Sequence, residues 1–431
     1  MEKIINAQFI DYKKLLQRPT KNSSDIEAVV VEIFSEIQSK GDQAIRKYTQ
    51  LFDGSIVDDI KVSEEELELS KNSISSDLKK AIELAKSNIE KFHAAQKTER
   101  ITLETSDGVK CWQEKRPIKK VGLYIPGGSA PLFSTILMLA VPARIAGCEE
   151  IVLCTPPNKD GNIHPAILYA ARLCGLTEIF KVGGIQAIAA LTFGTETIRG
   201  VYKIFGPGNQ YVTTAKQMAT KYNVAIDMPA GPSELLVFAD DTAVPSFVAA
   251  DLLSQAEHGV DSQVILITTS EQVLMEVEAQ ILAQLAQLPR KEIASEAMEN
   301  SKLIYVESKE LAIEIINEYA PEHFSVCSRD EQFFIDHIFN AGSVFIGNYT
   351  PESAGDYASG TNHTLPTNGY AKQYSGVNLD SFTKSMTFQK INKKGIGNIG
   401  AAIEVMAAAE GLQAHKNAVT VRLKALEDEN R

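Results

Sequence analysis

The run KVGLYIPGG, residues 120–128, decides the fold class, because a short apolar strand pattern ends there in a proline-glycine turn. Pro131, just beyond it, suits the first turn of a helix that Gly147 ends. The same alternation continues along the chain, with strands predicted at 120–125, 150–154, 178–182, 201–205, 234–238, 263–268, 303–306, 324–327 and 343–346. Strands that alternate with helices of this length predict parallel βαβ units. The sequence therefore predicts an α/β protein with two such domains in tandem.

Helical patterns flank this region. Residues 24–50 and 62–98 predict amphipathic helices, and after about residue 378 the strand pattern fades into what we expect to be a polar, helical tail. Within the tail, residues 395–400 match the G-x-G-x-x-G pattern of dinucleotide-binding turns. Only 31 of the 431 residues follow Gly400, too few for the returning strand of a βαβ unit. We interpret this run as a flexible helix entry.

The composition argues against two classes of partner. The net charge of −12 provides no basic face for nucleic acid, and no apolar run reaches the ~20 residues of a membrane helix. The first residues lack the apolar core of a signal peptide, so we expect a cytoplasmic protein. The five cysteines have no C-x-x-C spacing, which favours buried free thiols over disulfides or a metal cluster.

Four of the seven histidines have neighbours that suit chemistry. His93, His164 and His337 lie without acidic or glycine-rich company and are interpreted as packing or surface residues. The other four lie beside a carboxylate, an amide or a hydroxyl at a turn or helix end: His258, His323, His363 and His415.

The first of these histidines ends a predicted helix, in the run SQAEHG at 254–259. Gln255 and His258 are three residues apart and so share one helix face, with Gly259 as the expected helix cap. An amide oxygen and an imidazole nitrogen placed in this way can hold one cation. The alternative is a polar last turn without a ligand.

Glu322 and His323 are adjacent where a predicted helix gives way to a strand. Catalytic side chains often project from such ends, where a histidine can take a proton near neutral pH and a glutamate can activate water. The alternative is a helix end with exposed charges.

Two further segments carry candidate ligands. Residues 352–363 follow the last predicted strand, at the edge where ligands bind in open α/β sheets. Asp356 can ligate a metal there and His363 can contact a substrate, unless the segment is a plain glycine-serine loop. Glu410 and His415 lie in the tail, beyond both α/β domains, where exposed loop residues are the alternative.

Taken together, seven segments in order resemble the histidinol dehydrogenase family, over nearly the whole chain. They are Gly122–Ser134 (GLYIPGGSAPLFS), Phe205–Asn209 (FGPGN), Gly231–Ser233 (GPS), Ser254–Gly259 (SQAEHG), Ala320–His323 (APEH), Gly355–His363 (GDYASGTNH) and Glu410–Val419 (EGLQAHKNAV). The resemblance implies two tandem incomplete Rossmann-like domains, similar to those of aldehyde dehydrogenases, with a helical N-terminal segment and a C-terminal helical tail. The implied boundaries are 1–23 for the N-terminal segment, 24–123 plus 233–377 for the first domain with its leading helices, 124–232 for the NAD-side domain and 378–431 for the tail.

The resemblance also implies a role for each matching position. The implied zinc ligands are Gln255, His258, Asp356 and His415, and the implied catalytic pair is Glu322 and His323. The residues implied to surround the substrate are Ser233, Gln255, His258, His323, Asp356, His363, Glu410 and His415. Those implied to contact NAD are Tyr124, Gln186 and Asn209.

The implied activity is the NAD-dependent oxidation of L-histidinol to L-histidine through histidinal, the last step of histidine biosynthesis. His323 would act as the base, Glu322 would activate the water that hydrates the aldehyde, and zinc would orient the substrate. The family is homodimeric and its tail reaches into the partner's active site. Glu410 and His415 would then serve the other subunit.

Three other classes of protein stay open. A zinc hydrolase built on Glu322, His258 and His415 would need no nicotinamide and would form no NADH. An aldehyde dehydrogenase would need a cysteine nucleophile, for which Cys327 lies nearest the motifs, and alkylation would test it. The third class is a non-catalytic protein that binds a metal or an amino acid. It would not explain why an acid, a base and four candidate ligands occur together.

Overall fold

The computed structural model describes residues 1–5, 16–19, 24–127 and 131–429. Most of the N-terminal segment predicted at 1–23, and Gly128 of the proline-glycine turn, lie outside the described residues. The chain forms two compact units, the first made of Met1–Gln96 and Ile118–Phe382 and the second of Lys97–Pro117 and Thr383–Arg431. None of the described helices is long and apolar enough to cross a membrane.

The elements of the described residues are numbered in chain order. The strands are β1 (Glu2–Ile5), β2 (Ile101–Ser106), β3 (Val109–Pro117), β4 (Lys120–Tyr124), β5 (Glu150–Thr155), β6 (Glu178–Lys181), β7 (Lys203–Phe205), β8 (Ala225–Ile226), β9 (Glu234–Ala239), β10 (Gln263–Thr268), β11 (Lys302–Tyr305), β12 (His323–Cys327), β13 (Ser343–Ile346) and β14 (Thr383–Ile391). The helices are α1 (Ser24–Lys40), α2 (Asp42–Asp53), α3 (Glu64–Ser70), α4 (Ser76–Ala94), α5 (Phe133–Ala146), α6 (Pro165–Leu173), α7 (Gly184–Phe193), α8 (Gln210–Thr220), α9 (Pro245–Ala256), α10 (Glu271–Leu285), α11 (Lys291–Glu299), α12 (Lys309–Tyr319), α13 (Glu331–His337), α14 (Glu352–Tyr357), α15 (Lys393–Ala409) and α16 (Gln413–Glu429).

Two parallel sheets form the framework of the first unit. One has five strands in the order β6-β5-β4-β7-β8, and the other has six in the order β1-β11-β10-β9-β12-β13. Every residue of β9 and β10 is buried, as expected for parallel strands with helices on both faces. The predicted α/β class with two sheets in tandem is confirmed.

The leading helices pack on the five-stranded sheet. Val30 and Phe34 of α1 share a core with Ile188 of α7, and Ile82 and Ile89 of α4 share another with α5. The predicted domain boundaries group these helices with residues 233–377 instead. Those boundaries stay a prediction, although the observed packing joins the helices to β4–β8.

Each of the two predicted leading helices is divided in the structure. The first breaks at Gly41, whose φ of +48° is a left-handed conformation that glycine tolerates best. The second is interrupted between α3 and α4, and Ser75 caps the new helix by accepting a hydrogen bond from the Leu78 amide. Ser75, a capping residue inside a long amphipathic pattern, therefore marks the start of the second helix.

In the second unit, the prediction of a wholly helical tail is wrong at its start. Residues 383–391 form β14, which pairs antiparallel with β3, and β3 pairs with β2. Trp112 stacks on Phe388 across the first pair, with ring centroids 5.2 Å apart. A small antiparallel sheet with a solvated face carries many polar side chains, so its apolar pattern is weak.

The glycine run 395–400 lies inside the first turns of α15, so this helix begins before the run and does not follow it as predicted. Asn392 caps this helix by accepting a hydrogen bond from the Gly395 amide at 2.8 Å. A side chain at Gly395 would clash with Gly108, and one at Gly400 would clash with Leu423 of α16. These glycines therefore allow close packing within the second unit.

Candidate active site

The predicted acid-base pair lies at the amino edge of the six-stranded sheet. His323 is the first residue of β12, Glu322 directly precedes it, and Ser233 directly precedes the neighbouring β9. A cavity of about 240 Å³ at this edge is lined by Ser233, Glu322, His258 and His363, among others. The structure thus brings together four of the predicted catalytic and substrate-binding residues around one cavity.

The opposite wall of this cavity comes from the five-stranded sheet. The turn Gly206-Pro207-Gly208-Asn209, which follows β7, lines it. A buried ion pair supports the turn, with Lys216 Nζ 2.5 Å from Asp227 Oδ1 and with the Gly206 amide donating to Asp227 Oδ2 at 2.8 Å. Lys216 Nζ also donates to the Gly206 carbonyl at 2.8 Å. The cavity therefore lies between the carboxyl edge of one sheet and the amino edge of the other.

The buried His323 ring is held in one orientation. Its Nδ1 lies 3.0 Å from the Glu234 carbonyl, which can only accept, so Nδ1 donates. Its Nε2 has no hydrogen-bond partner among the described residues and lies 3.7 Å from Asp356 Oδ1 and 3.9 Å from Glu352 Oε1. Burial acts to lower the pKa of His323, but the surrounding carboxylates, Glu322 first, outweigh it and raise the pKa to about 10. Nε2 is thus the atom available for proton exchange.

Glu322 is buried beside this ring. Its Oε2 accepts a hydrogen bond from the Glu234 amide at 2.8 Å and lies 3.6 Å from His323 Nδ1. Burial raises the pKa of the Glu322 carboxyl to about 8. A carboxyl whose charge is costly to bury suits proton transfer to or from a ligand in the cavity.

Gln255 and His258 lie at the end of α9, but not in one continuous helix. The helix ends at Ala256, and Glu257 rather than Gly259 is its cap, so the predicted shared helix face is wrong in detail. The Gln255 side chain is buried, and its Oε1 has no partner among the described residues. His258 is exposed at the cavity, yet the protein around its ring desolvates it enough to lower its pKa.

Asp356 lies in a helix, α14, where the sequence analysis weighed a loop. Glu352 is four residues earlier, so both carboxylates project from one helix face toward His323. Desolvation opposes ionisation of Asp356, but the neighbouring histidines lower its pKa to about 2. Burial raises the pKa of Glu352 to about 7. Sequence analysis missed Glu352, although its spacing from Asp356 was the available signal.

Asp356 also lies at the other edge of the sheet from the one that the sequence predicted. The segment was expected at the carboxyl edge of the sheet because it follows β13, whereas Asp356 contacts His323 at the amino edge. After β13 ends at the carboxyl edge, residues 347–356 lead the chain back to the amino edge. The pattern of predicted strands gives no sign of this reversal.

His363 connects the site to α5. Its Nδ1 lies 3.0 Å from the Asp356 carbonyl, and its Nε2 lies 3.1 Å from Thr135 Oγ1. Burial lowers the pKa of His363, which favours the neutral ring. The contact from Thr135 was not predicted.

A second cavity, of about 1100 Å³, opens at the carboxyl edge of the five-stranded sheet. It contains all three residues predicted to contact NAD, namely Tyr124, Gln186 and Asn209. The Tyr124 hydroxyl accepts a hydrogen bond from the Gly184 amide at 3.1 Å, and Asn209 Oδ1 caps α8. Asn209 and Pro126 also line the smaller cavity, so the two cavities adjoin.

Comparison with known proteins identifies the family. The family model for histidinol dehydrogenase matches residues 16–423. This chain belongs to the histidinol dehydrogenase family. It is 59% identical to the histidinol dehydrogenase of Bacteroides thetaiotaomicron over 96% of this chain and 97% of that one, and 51% identical to that of Escherichia coli strain K12 over 97% and 96%. The crystal structure of histidinol dehydrogenase from Elizabethkingia anophelis is 58% identical, with a TM-score of 0.97 and 99% of each chain covered.

Two predicted residues of the histidinol dehydrogenase site lie in the second unit. Glu410 directly follows α15, and His415 lies in the first turn of α16. Both side chains are exposed. They belong to the tail of the chain, whereas the other predicted site residues belong to the first unit.

The structure also assigns places to the remaining histidines and to Cys327. His164 caps α6 by accepting a hydrogen bond from the Ala166 amide, and His93 is buried with Nδ1 on the Ile89 carbonyl. Cys327 ends β12 at the edge opposite His323, and burial raises its pKa to about 12. A thiol in that state is a poor nucleophile, which disfavours the cysteine-dependent aldehyde dehydrogenase.

Proposed function

We propose that this chain oxidises L-histidinol to L-histidine in two NAD-dependent steps, through histidinal, as the last step of histidine biosynthesis. The observation that carries this proposal is the buried Glu322–His323 pair, of which Glu322 lines a cavity that adjoins a much larger one. The first cavity suits an amino alcohol and the second suits a dinucleotide. Membership of the family supports the same substrate.

The donor atoms fit a zinc ion. Gln255 offers a buried amide oxygen without a partner among the described residues, and Asp356 offers an ionised carboxylate. The lowered pKa of His258 keeps its imidazole unprotonated, as metal binding requires. We propose that these three residues and His415 are the zinc ligands. An alternative set is His323, Glu352 and Asp356, whose candidate ligand atoms lie within 4.8 Å of one another.

The larger cavity suits NAD both by its size and by the polar groups in its wall. Gln186 Oε1 is buried in its wall without a partner among the described residues, and Asn209 and Pro126 line both this cavity and the smaller one. When bound, one NAD would accept the hydride of the first oxidation and a second NAD that of the second oxidation. Zinc would orient the substrate and occupy a carboxylate that otherwise keeps His323 protonated.

The chain's own residues would then divide the proton chemistry. His323 Nε2 takes the hydroxyl proton of the alcohol, while the Glu234 carbonyl holds its ring in place through Nδ1. Glu322, which faces the cavity, removes a proton from the water that adds to the aldehyde. Ser233 and His363 line the same cavity and position the substrate.

The stoichiometry of the reaction tests this function against a hydrolase and a simple dehydrogenase. We expect two NADH for each L-histidinol consumed, with L-histidine as the product, because one site holds both the base and the group that makes the hydrate. A hydrolase would form no NADH. Release of histidinal with one NADH would contradict the proposal.

We further propose a cytoplasmic homodimer in which each tail serves the partner's site. Glu410 and His415 lie in a unit separate from the other site residues, and the five free thiols suit a reducing compartment. Inactive His258→Ala and His415→Ala chains refolded together should regain about a quarter of wild-type activity, because half of the dimers are mixed and each has one intact site of two. No recovery, with mixed dimers confirmed by mass, would contradict the crossing.

A further inference from the structure

The larger cavity contains a carboxylate whose role has not yet been assigned. Asp53 is the last residue of α2 and lines this cavity together with Tyr124 and Gln186. It is half-buried, although it precedes a tight turn at Gly54. A partly buried acid in a ligand cavity needs a partner to offset its lost hydration.

The polar groups around Asp53 are incompletely satisfied. Gln186, which is fully buried, donates a long 3.5 Å hydrogen bond from Nε2 to Asp53 Oδ2, while its own Oε1 has no partner among the described residues. Thr155 Oγ1, at the end of β5, is equally buried and lacks a partner in the same part of the structure. Both side chains line the cavity. Buried polar atoms are rarely left unpaired, so the cavity is built for a ligand with several hydroxyl or amide groups.

The charge of Asp53 limits what that ligand can be. Burial raises the pKa of its carboxyl to about 6, so at neutral pH it is mostly ionised and can only accept hydrogen bonds. Among the described residues, Gln186 is its hydrogen-bond partner and no cation pairs with it. It would attract hydroxyl groups and repel a phosphate.

The two adjoining cavities indicate how a dinucleotide would be divided between them. The nicotinamide must face the smaller cavity, where Ser233 and His363 lie, and the passage between the cavities runs past Pro126 and Asn209. Asp53 lines only the larger cavity. The larger cavity would therefore hold the adenosine half, and both Asp53 and the exposed Lys159 line that cavity.

We infer that Asp53 binds the ribose diol of the adenosine half and excludes a 2′-phosphate, so that the enzyme uses NAD and not NADP. The inference rests on the proposed function. An acidic residue that accepts from the ribose 2′-hydroxyl is a common means of choosing NAD in α/β dehydrogenases. Here the residue would come from a leading helix, not from the end of the second strand of the sheet, where Thr155 lies.

Calorimetric titration of wild type and of Asp53→Asn with NAD and NADP tests this inference. We expect wild type to bind NAD at least about 100-fold more tightly than NADP, and Asp53→Asn to reduce that ratio at least about tenfold, mainly by weakening NAD. Asp59→Asn removes an exposed charge from the following loop and should leave the ratio unchanged. Lys159→Met should weaken both dinucleotides in the same proportion.

A change in the ligand tests the same contact if Asp53→Asn fails to fold. Wild type should bind 2′-deoxy-NAD about tenfold more weakly than NAD, whereas a folded Asp53→Asn protein should barely distinguish the two. An unchanged NAD-to-NADP ratio in Asp53→Asn, or equal binding of NAD and 2′-deoxy-NAD by wild type, would overturn the assignment. Failure of the proposed function itself would look different, because wild type would then form no NADH from histidinol.

Discussion

The two parallel sheets of the first unit contribute opposite edges to the active site. The five-stranded sheet offers its carboxyl edge, where Tyr124 and the turn at 206–209 follow their strands, as is usual in open α/β folds. The six-stranded sheet offers its amino edge, where Ser233, Glu322 and His323 precede or begin theirs. The first edge carries the residues predicted to contact NAD, and the second carries the predicted acid and base.

The carboxyl edge of the six-stranded sheet differs from its amino edge in how far its polar groups are satisfied. Asp240, which directly follows β9, accepts hydrogen bonds from the Thr242 amide and from the Ser328 hydroxyl and Arg329 amide beyond β12. Its carboxylate is thus fully engaged by the protein. At the amino edge, by contrast, His323 Nε2, Gln255 Oε1 and Glu352 Oε1 are buried without partners among the described residues. The unsatisfied groups, and not the usual topology, mark the reactive edge.

The largest expected effect at the amino edge comes from His323→Gln. Removal of the base should slow both oxidations by about 1000-fold while histidinol binding changes little, because general-base catalysis contributes on this scale. His337→Gln, at an exposed helix end, is the matched control and should retain full activity. Stopped-flow measurement of NADH formation from histidinol and from histidinal checks both steps. If the rates of oxidation fall less than tenfold, His323 is not the base.

Zinc content separates the two candidate ligand sets at the same edge. His258→Asn should lower zinc affinity by at least about 100-fold, whereas Glu352→Gln should still bind one zinc per chain. Metal analysis after equilibration with a graded chelator gives both values. If instead Glu352→Gln loses zinc and His258→Asn keeps it, the ligands are His323, Glu352 and Asp356, and His323 is not the base.

The sequence predicted the carboxyl edge of the five-stranded sheet better than the amino edge of the other. Proline-glycine turns after apolar strands are local signals, and they indicated the carboxyl edge of the five-stranded sheet. Glu322 and His323 were visible as a motif, but Glu352 was missed because its short helix contains small residues that resemble a loop. Asp53 was missed because it reaches its cavity from a helix 71 residues before Tyr124, and only tertiary packing brings them together.

The second unit was predicted least well. Its strand β14 contains alternating polar residues, and β2 and β3 lie far from it in sequence. Antiparallel pairing over such a distance leaves no local pattern that distinguishes a strand from a polar segment.

The most direct test of the roles proposed for Glu322 and His323 is the variant Glu322→Gln. The rate of NADH formation would be measured in single turnovers, with histidinol and with histidinal. The amide keeps an oxygen that can accept from the Glu234 backbone, so the fold around His323 should be preserved. Histidinal oxidation should slow by about 100-fold and histidinol oxidation by only a few-fold, because only the second step needs activated water. Equal slowing of both steps would contradict the division of roles between Glu322 and His323.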